Sequence, residues 1–326
     1  MNLRLSVWPA LGRALLLATL FSAHAGAQNF PVKPVRIIVP FPAGGSADFF
    51  SRMIGQKLSE SWSQQVIVEN RPGAATVIGT QFVARAPADG YTLLVMANSF
   101  TINSSMRSNL PYDSSKDFAP VTQLVTSPNV IVVHPSVPAK NFAEFIALAR
   151  ARPGVLNYSA VGPGATQHVA GEMLKAAAKI DMGYVPFAGG APAVLAVLGG
   201  HVGFCIANIQ EVAPHVEAGK LRALAVTSRE RDPAMKNVPT VAESGLPDYV
   251  VITWWGFMVP AATPADVVAK LSADTGRVLR LPEIQGKLLS QGLYASPSTP
   301  EQFTAHVRAE TARYAKIVKE AGIKAD

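Results

Sequence analysis

Two stretches of the chain end a strand, turn on glycines and begin a helix, and both have the residue types to hold an anion. The first is Phe41-Pro42-Ala43-Gly44-Gly45-Ser46-Ala47-Asp48, in which Ser46 reads as the helix N-cap. The second is Ser159-Ala160-Val161-Gly162-Pro163-Gly164-Ala165-Thr166, with Thr166 near the helix start. Glycine lets the backbone approach a ligand closely, and the first helical turn leaves N–H groups without intrahelical partners. The helix dipole stabilises an anion there by about 0.3–1 kcal/mol, and charge-assisted hydrogen bonds add roughly 1.5–3 kcal/mol each. One such loop from each of two units would grip a carboxylate-bearing ligand between them. Taken singly, either loop is also an ordinary strand–helix turn.

Other chemistries find less support. Gly162-Pro163-Gly164 starts like a dinucleotide fingerprint, but Gln167 stands where its third glycine belongs. Neither a phosphate-binding Gly-x-x-x-x-Gly-Lys-Ser/Thr nor a Gly-x-Ser-x-Gly elbow occurs. His24, His134, His168, His201, His215 and His306 include no His-x-x-x-His pair, so neither a metal site nor a cofactor is expected. His168 reads as structural, Cys205 as core filler and Trp254-Trp255 as core rather than as a ligand wall. Ser46 and Ser99 are the candidate nucleophiles of an exported hydrolase, yet no spacing identifies a base for either.

The elements that must position these loops follow from the hydrophobic pattern. With 326 residues the chain is long enough for two domains, and 49% apolar against 16% charged residues excludes a disordered polymer. The single cysteine excludes an intrachain disulfide. The formal charge of +7 is spread without a basic run, so a nucleic-acid partner is not expected. Residues 1–27 read as a secretory signal: Arg4 and Arg13, an apolar run from Ala14 to Phe21, then small residues with cleavage sites after Ala25 or Ala27. The expected product is a soluble exported protein.

Beyond it, strands alternate with helices. Val35–Val39, Gln65–Glu69 and Tyr91–Met96 read as strands, with helices from Ala47 and from Val77 to Ala86 between them. The pattern restarts with strands at Asn129–Val133, Val155–Ser159, Gly183–Pro186, Val202–Ile206 and Leu221–Thr227. Helices at Phe142–Ala151, Thr166–Lys179 and Ala193–Leu198 intervene. Val250–Pro260 is a further strand, and the remainder is mainly helical, ending with Pro300–Ala321. This predicts an α/β protein of two units, each a mainly parallel sheet flanked by helices. The expected division is 28–127 with 252–326 in domain 1 and 128–251 in domain 2, with crossings near Ser127 and Ile252.

Ile38-Val39-Pro40-Phe41 leading to Gly44-Gly45 and Asp48 resembles the opening signature of Bug-type receptors. These are the periplasmic substrate-binding proteins of tripartite tricarboxylate transporters. The likeness continues through Glu69-Asn70-Arg71-Pro72-Gly73, Asp89-Gly90-Tyr91-Thr92-Leu93-Leu94, Gly162-Pro163-Gly164 with His168, and Gly171-Glu172. It extends through Val185-Pro186-Phe187, the Ala218–Thr227 segment and the Pro239–Gly245 turn, and so covers essentially the whole mature chain. The resemblance implies a two-domain periplasmic-binding-protein fold of type II-like form, no catalysis, and an organic carboxylate held in an inter-domain cleft. Carried over by position, it implies a site of Ala43, Gly44, Gly45 and Ser46, of Gly164, Ala165 and Thr166, of Ala97, Asn98 and Ser99, and of Asn208. It further implies a monomer that delivers its ligand to membrane permease subunits. A receptor presenting its closed form to a signalling protein would use the same fold and site. Ala75-Thr76 stand where two glycines are common, and Gly203 and Ala207 where Asp is frequent. These departures leave a di- or tricarboxylate, an aromatic carboxylate and a neutral amide all open as ligands.

Overall fold

The computed structural model describes residues 30–323. The expected signal segment and its cleavage site lie outside them. Strand β1 (Val35–Val39) is all but fully buried, as its run of β-branched residues requires. Helix α1 (Ser46–Trp62) follows and buries Phe50, Ile54 and Leu58, spaced four apart, against it. β1 is flanked in parallel by β2 (Val66–Asn70) and β3 (Thr92–Ala97), with α2 (Val77–Ala84) between those two strands in sequence. α3 (Asn98–Met106) starts directly where β3 ends.

The strand β4 (Phe118–Val133) joins both halves of the molecule. From Phe118 to Pro128 it pairs antiparallel with β9 (Ile252–Pro260), which itself lies antiparallel to β3. From Asn129 onward it pairs instead with β7 (Phe204–Asn208) and, on its other side, with β8 (Arg222–Val226). β5 (Asn157–Val161) then lies parallel to both β7 and β6 (Gly183–Phe187). The resulting order is β2-β1-β3-β9-β4-β7-β5-β6. Three parallel strands at each end are thus linked through antiparallel crossings. The second half carries α4 (Phe142–Ala151), α5 (Thr166–Ala178), α6 (Gly190–Leu198) and α7 (Ile209–Glu217).

Three elements escape the periodicity reading. β4 begins well before Asn129, but Pro120, Pro128 and two register shifts disrupt its alternation. α3 is a polar sequence, Asn-Ser-Phe-Thr-Ile-Asn-Ser-Ser-Met, that is helical because most of it is buried between neighbours. α7 contains Pro214, a residue that argues against a helix interior when only sequence is available. Past β9, α8 (Ala265–Leu279), α9 (Pro282–Leu289), the short β10 (Tyr294–Ala295) and α10 (Pro300–Glu320) return to the first half. Val268, Leu271 and Leu279 of α8 join the core around Phe50 and Phe257. In the second half one core gathers Phe145, Tyr158 and Phe204, and the opposite face of the sheet packs Val130, Cys205 and Val212. Cys205 is fully buried, as its reading as core filler anticipates. A small cluster of Ile102, Val169, Tyr314 and Val318 packs α3 and α10 against α5 across the two halves.

The crossings are tied by buried polar side chains. Asn98 Nδ2 donates to the Ile252 carbonyl at 3.1 Å and to the Tyr314 hydroxyl at 3.0 Å, while its Oδ1 accepts from the Trp254 N–H at 2.9 Å. Asn129 Nδ2 donates to Thr253 Oγ1 at 3.0 Å, and the Thr227 hydroxyl donates to the Val251 carbonyl. Asn98→Ala would leave the Trp254 amide and the Ile252 carbonyl without these partners. The expected loss of stability is on the order of 2–3 kcal/mol, read as a lower midpoint in urea unfolding. An unchanged midpoint would contradict this anchoring role.

Candidate ligand site

Between the two halves, the ends of strands β1, β3, β5 and β7 deliver the chain into helices whose first turns face a common cavity. α1 contributes Gly45, Ser46 and Ala47, α3 contributes Ser99, and α5 contributes Thr166 and Gln167. α6 contributes Gly190 and Ala191, and α7 brings Asn208 and Glu211. Phe41, Pro42, Val161 and Trp255 supply apolar wall. The cavity has a volume of about 50 Å³, enough for a few water-sized groups.

No side chain caps α1, α3, α5, α6 or α7; their N-cap residues are Gly45, Ala97, Ala165, Gly189 and Asn208. Elsewhere Asn141 caps α4 and Thr299 with Gln302 forms a capping box on α10, while α2, α8 and α9 also start without a side-chain cap. Five helix starts thus face one space, a field suited to an anion, which Glu211 of the chain already occupies in part at the starts of α1 and α7. The lining contains no Lys, Arg or His. Among the described residues no group of three or more His, Cys, Asp or Glu could hold a metal ion.

Ala43, Gly45, Ser46, Ala97, Ser99, Ala165, Thr166 and Asn208 all line the cavity. Gly44, Asn98 and Gly164 are not among the lining residues. Gly44 and Gly164 are the turn residues, with φ of 86° and 89°, where a side chain is strained. Their amides are used within their own loops, on Asp48 Oδ2 at 3.1 Å and His168 Nδ1 at 3.5 Å. Asn98 is committed to the crossing strands. Ser46 is the first helical residue rather than the N-cap, which is Gly45. Burial works to raise Asp48, but Arg52, the Gly44 amide and Asn70 outweigh it and hold the carboxyl below its ordinary value.

His168 stacks on Tyr184 with ring centres 4.2 Å apart, and burial lowers its pKa by disfavouring the charged ring. Trp255 is both core and wall: it packs edge-on against Phe50 at 5.5 Å and also lines the cavity. Across the mouth the Ser46 hydroxyl donates to Gln210 Oε1 at 3.1 Å, joining α1 to α7. Ser99 Oγ lies 3.4 Å from Thr76 Oγ1, so neither candidate nucleophile is paired with a base.

The sequence reading missed Gln167, Thr253, the α6 start and Glu211. Phe187-Ala188-Gly189-Gly190 after β6 repeats the strand–glycine–helix design a third time, and that signal stands in the sequence. Glu211 had no such signal, because its helix was hidden by Pro214. Burial pushes its carboxyl up from 4.5 to about 7, with the Ser46 amide and the Asn208 side chain and amide opposing the rise. Its Oε2 is buried with no hydrogen-bond partner. Cys205, on β7, has its thiol raised by burial and by the Glu211 charge.

This architecture has named counterparts. Residues 50–323 match the model of the tripartite tricarboxylate transporter family receptor, and the chain belongs to that family. It is 34% identical to protein BugT of Bordetella pertussis, covering 96% of this chain and 98% of BugT. An R. palustris protein solved with adipate superposes with a TM-score of 0.88 at 33% identity, over 90% of this chain and 99% of that one. MatC from Rhodopseudomonas palustris, with bound malate, gives 0.84 at 31% identity, over 89% and 100%. The protein is therefore a receptor of the two-domain periplasmic-binding-protein fold, the family expected from its loop signatures.

The raised Glu211 carboxyl makes stability depend on pH. A carboxyl whose folded pKa lies above its unfolded value stabilises fully below the unfolded pKa, and that contribution is lost as pH rises through the folded one. Relative to Glu211→Gln, the wild type is expected to lose up to about 3 kcal/mol between pH 4.5 and 7. Parallel urea titrations of both proteins at several pH values check this. A constant difference would contradict it.

Proposed function

We propose that the chain is a periplasmic receptor, exported by its first 27 residues, that binds a small organic carboxylate in this cavity without transforming it. It acts as a monomer and hands the ligand, enclosed, to the membrane permease subunits of a tripartite transporter. The observation that carries the reading is the convergence of five uncapped helix starts on a cavity whose lining includes no cationic side chain. An anion held this way is recognised by amides and hydroxyls, as at other helix N-termini. The adipate and malate of the two solved relatives support the ligand class. Among the described residues no helix is long and apolar enough to cross a membrane, in keeping with an exported receptor.

The ligand residues in this reading are Ala43, Gly45, Ser46, Ala97, Ser99, Ala165, Thr166 and Asn208, with Gln167, Gly190 and Thr253 added to them. Residues 128–251 form one domain and the remainder of the mature chain the other, hinged where β4 and β9 cross. A micromolar complex needs about 8 kcal/mol, which several charge-assisted amide contacts supply once water is excluded. Hydrolysis by Ser46 or Ser99 is disfavoured because both hydroxyls face neutral side chains, Gln210 and Thr76.

Calorimetry of the purified mature protein, stripped of carried-over ligand, against a panel of small carboxylates including adipate and malate tests the reading. A binder is expected to shrink the radius of gyration in small-angle scattering as the halves close. Thr166→Ala should weaken that binder by on the order of 1–2 kcal/mol. Gly45→Val should abolish binding in a folded protein, since a Cβ at Gly45 already stands 3.4 Å from Glu211 Oε1. Wild-type affinity in a folded Gly45→Val protein would remove the basis for the site.

A further inference from the structure

Glu211 places a carboxylate of the protein itself inside a cavity suited to carboxylates. It stands in the first turn of α7, with the α1 amide of Ser46 and its own helix's Asn208 close by. Gly190, the first residue of α6, lies directly against it, and a Cβ there would overlap both carboxylate oxygens. Glycine at this position is what lets the group in. The starts of α1 and α7 are therefore already supplied with an acceptor by the chain, and the start of α6 lies against it. One oxygen, Oε2, is buried and still lacks a partner. A buried acceptor left unpaired costs free energy that a ligand's N–H or O–H would remove.

The rest of the polar lining has the reverse character. Ser99 Oγ, Thr166 and the uncapped starts of α3 and α5 offer donors and carry no acidic group into the lining. A ligand carboxylate gains there and, once Glu211 is ionised above about pH 7, is repelled beside it, where like charges would share a poorly hydrated space. Resting on the carboxylate-receptor reading above, we propose that Glu211 sets the ligand class. The ligand is a monocarboxylate whose other end carries a hydrogen-bond donor, such as a carboxamide, hydroxyl or ammonium group. The acid end lies toward α3 and α5, and the donor end meets Glu211 Oε2.

Pairs of equal size isolate this choice: succinate with succinamate, malate with its monoamide, and adipate with adipamate. Each pair exchanges one carboxylate for a carboxamide. In calorimetry on stripped wild-type protein at a pH above 7, where Glu211 is ionised, at least one monoamide is expected to bind about tenfold or more tightly than its diacid. Glu211→Gln, the isosteric change, should erase or invert that preference, and Glu211→Ser should do the same with more room. Thermal melts accompany each variant to confirm folding. Equal or tighter binding of the diacids by the wild type, or a preference that survives both substitutions, overturns the assignment to Glu211 and leaves the carboxylate reading standing. If none of the six compounds binds wild type or variants, both readings fail.

Discussion

Helix geometry leaves the first N–H groups of every helix without partners, and in this protein five helices leave them in one place. α1, α3, α5, α6 and α7 all start at the cavity on Gly, Ala or an Asn whose side chain does not cap. The strand order serves that arrangement. β1 and β3 in one half, and β5, β6 and β7 in the other, point their carboxyl ends toward the space between. Each half alone presents an open set of donors to water. In the proposed receptor only the two together would surround a small molecule, so the fold's division into halves and its recognition chemistry would be a single requirement.

β4 and β9 make that requirement mechanically feasible. Because β4 changes partners between Pro128 and Asn129, a single strand belongs to both sheets, and no separate linker has to be ordered. Asn98, Asn129 and Thr227 bind the two crossings to their surroundings. In the proposed hinge, rotation about these strands would leave the cores around Phe50 and around Phe204 each within its own half. The apolar contact of Ile102 with Val169 and Tyr314 gives the halves a second meeting point away from the cavity.

Much of this was legible in the sequence because the informative residues act locally. β1, α1, α4, α5 and the glycine loops at Gly44-Gly45 and Gly164 declare themselves by periodicity and turn chemistry. The loops are legible as anion sites because glycine and a helix start suffice to describe one. What stayed hidden depends on tertiary context. The polar α3 is helical because it is enclosed, α7 forms despite Pro214, and the early part of β4 survives two bulges because β9 lies beside it. Asn98 shows the limit of carrying a site over by position. Its neighbours Ala97 and Ser99 face the cavity, yet its own amide is turned into the crossing strands.

In the proposed receptor, the hydrogen bond between Ser46 and Gln210 would act as a latch between the halves. The hydrogen bond is neutral and joins side chains at the mouth of the cavity. A bond of this kind contributes about 0.5–1.5 kcal/mol, against the several kcal/mol by which a bound anion can favour the closed arrangement. A salt bridge at the same place would hold the halves together regardless of cargo, and vacant receptors would then compete with loaded ones for the same permease. In the proposed receptor a weak latch would leave closure to the cargo, so that shape would report occupancy.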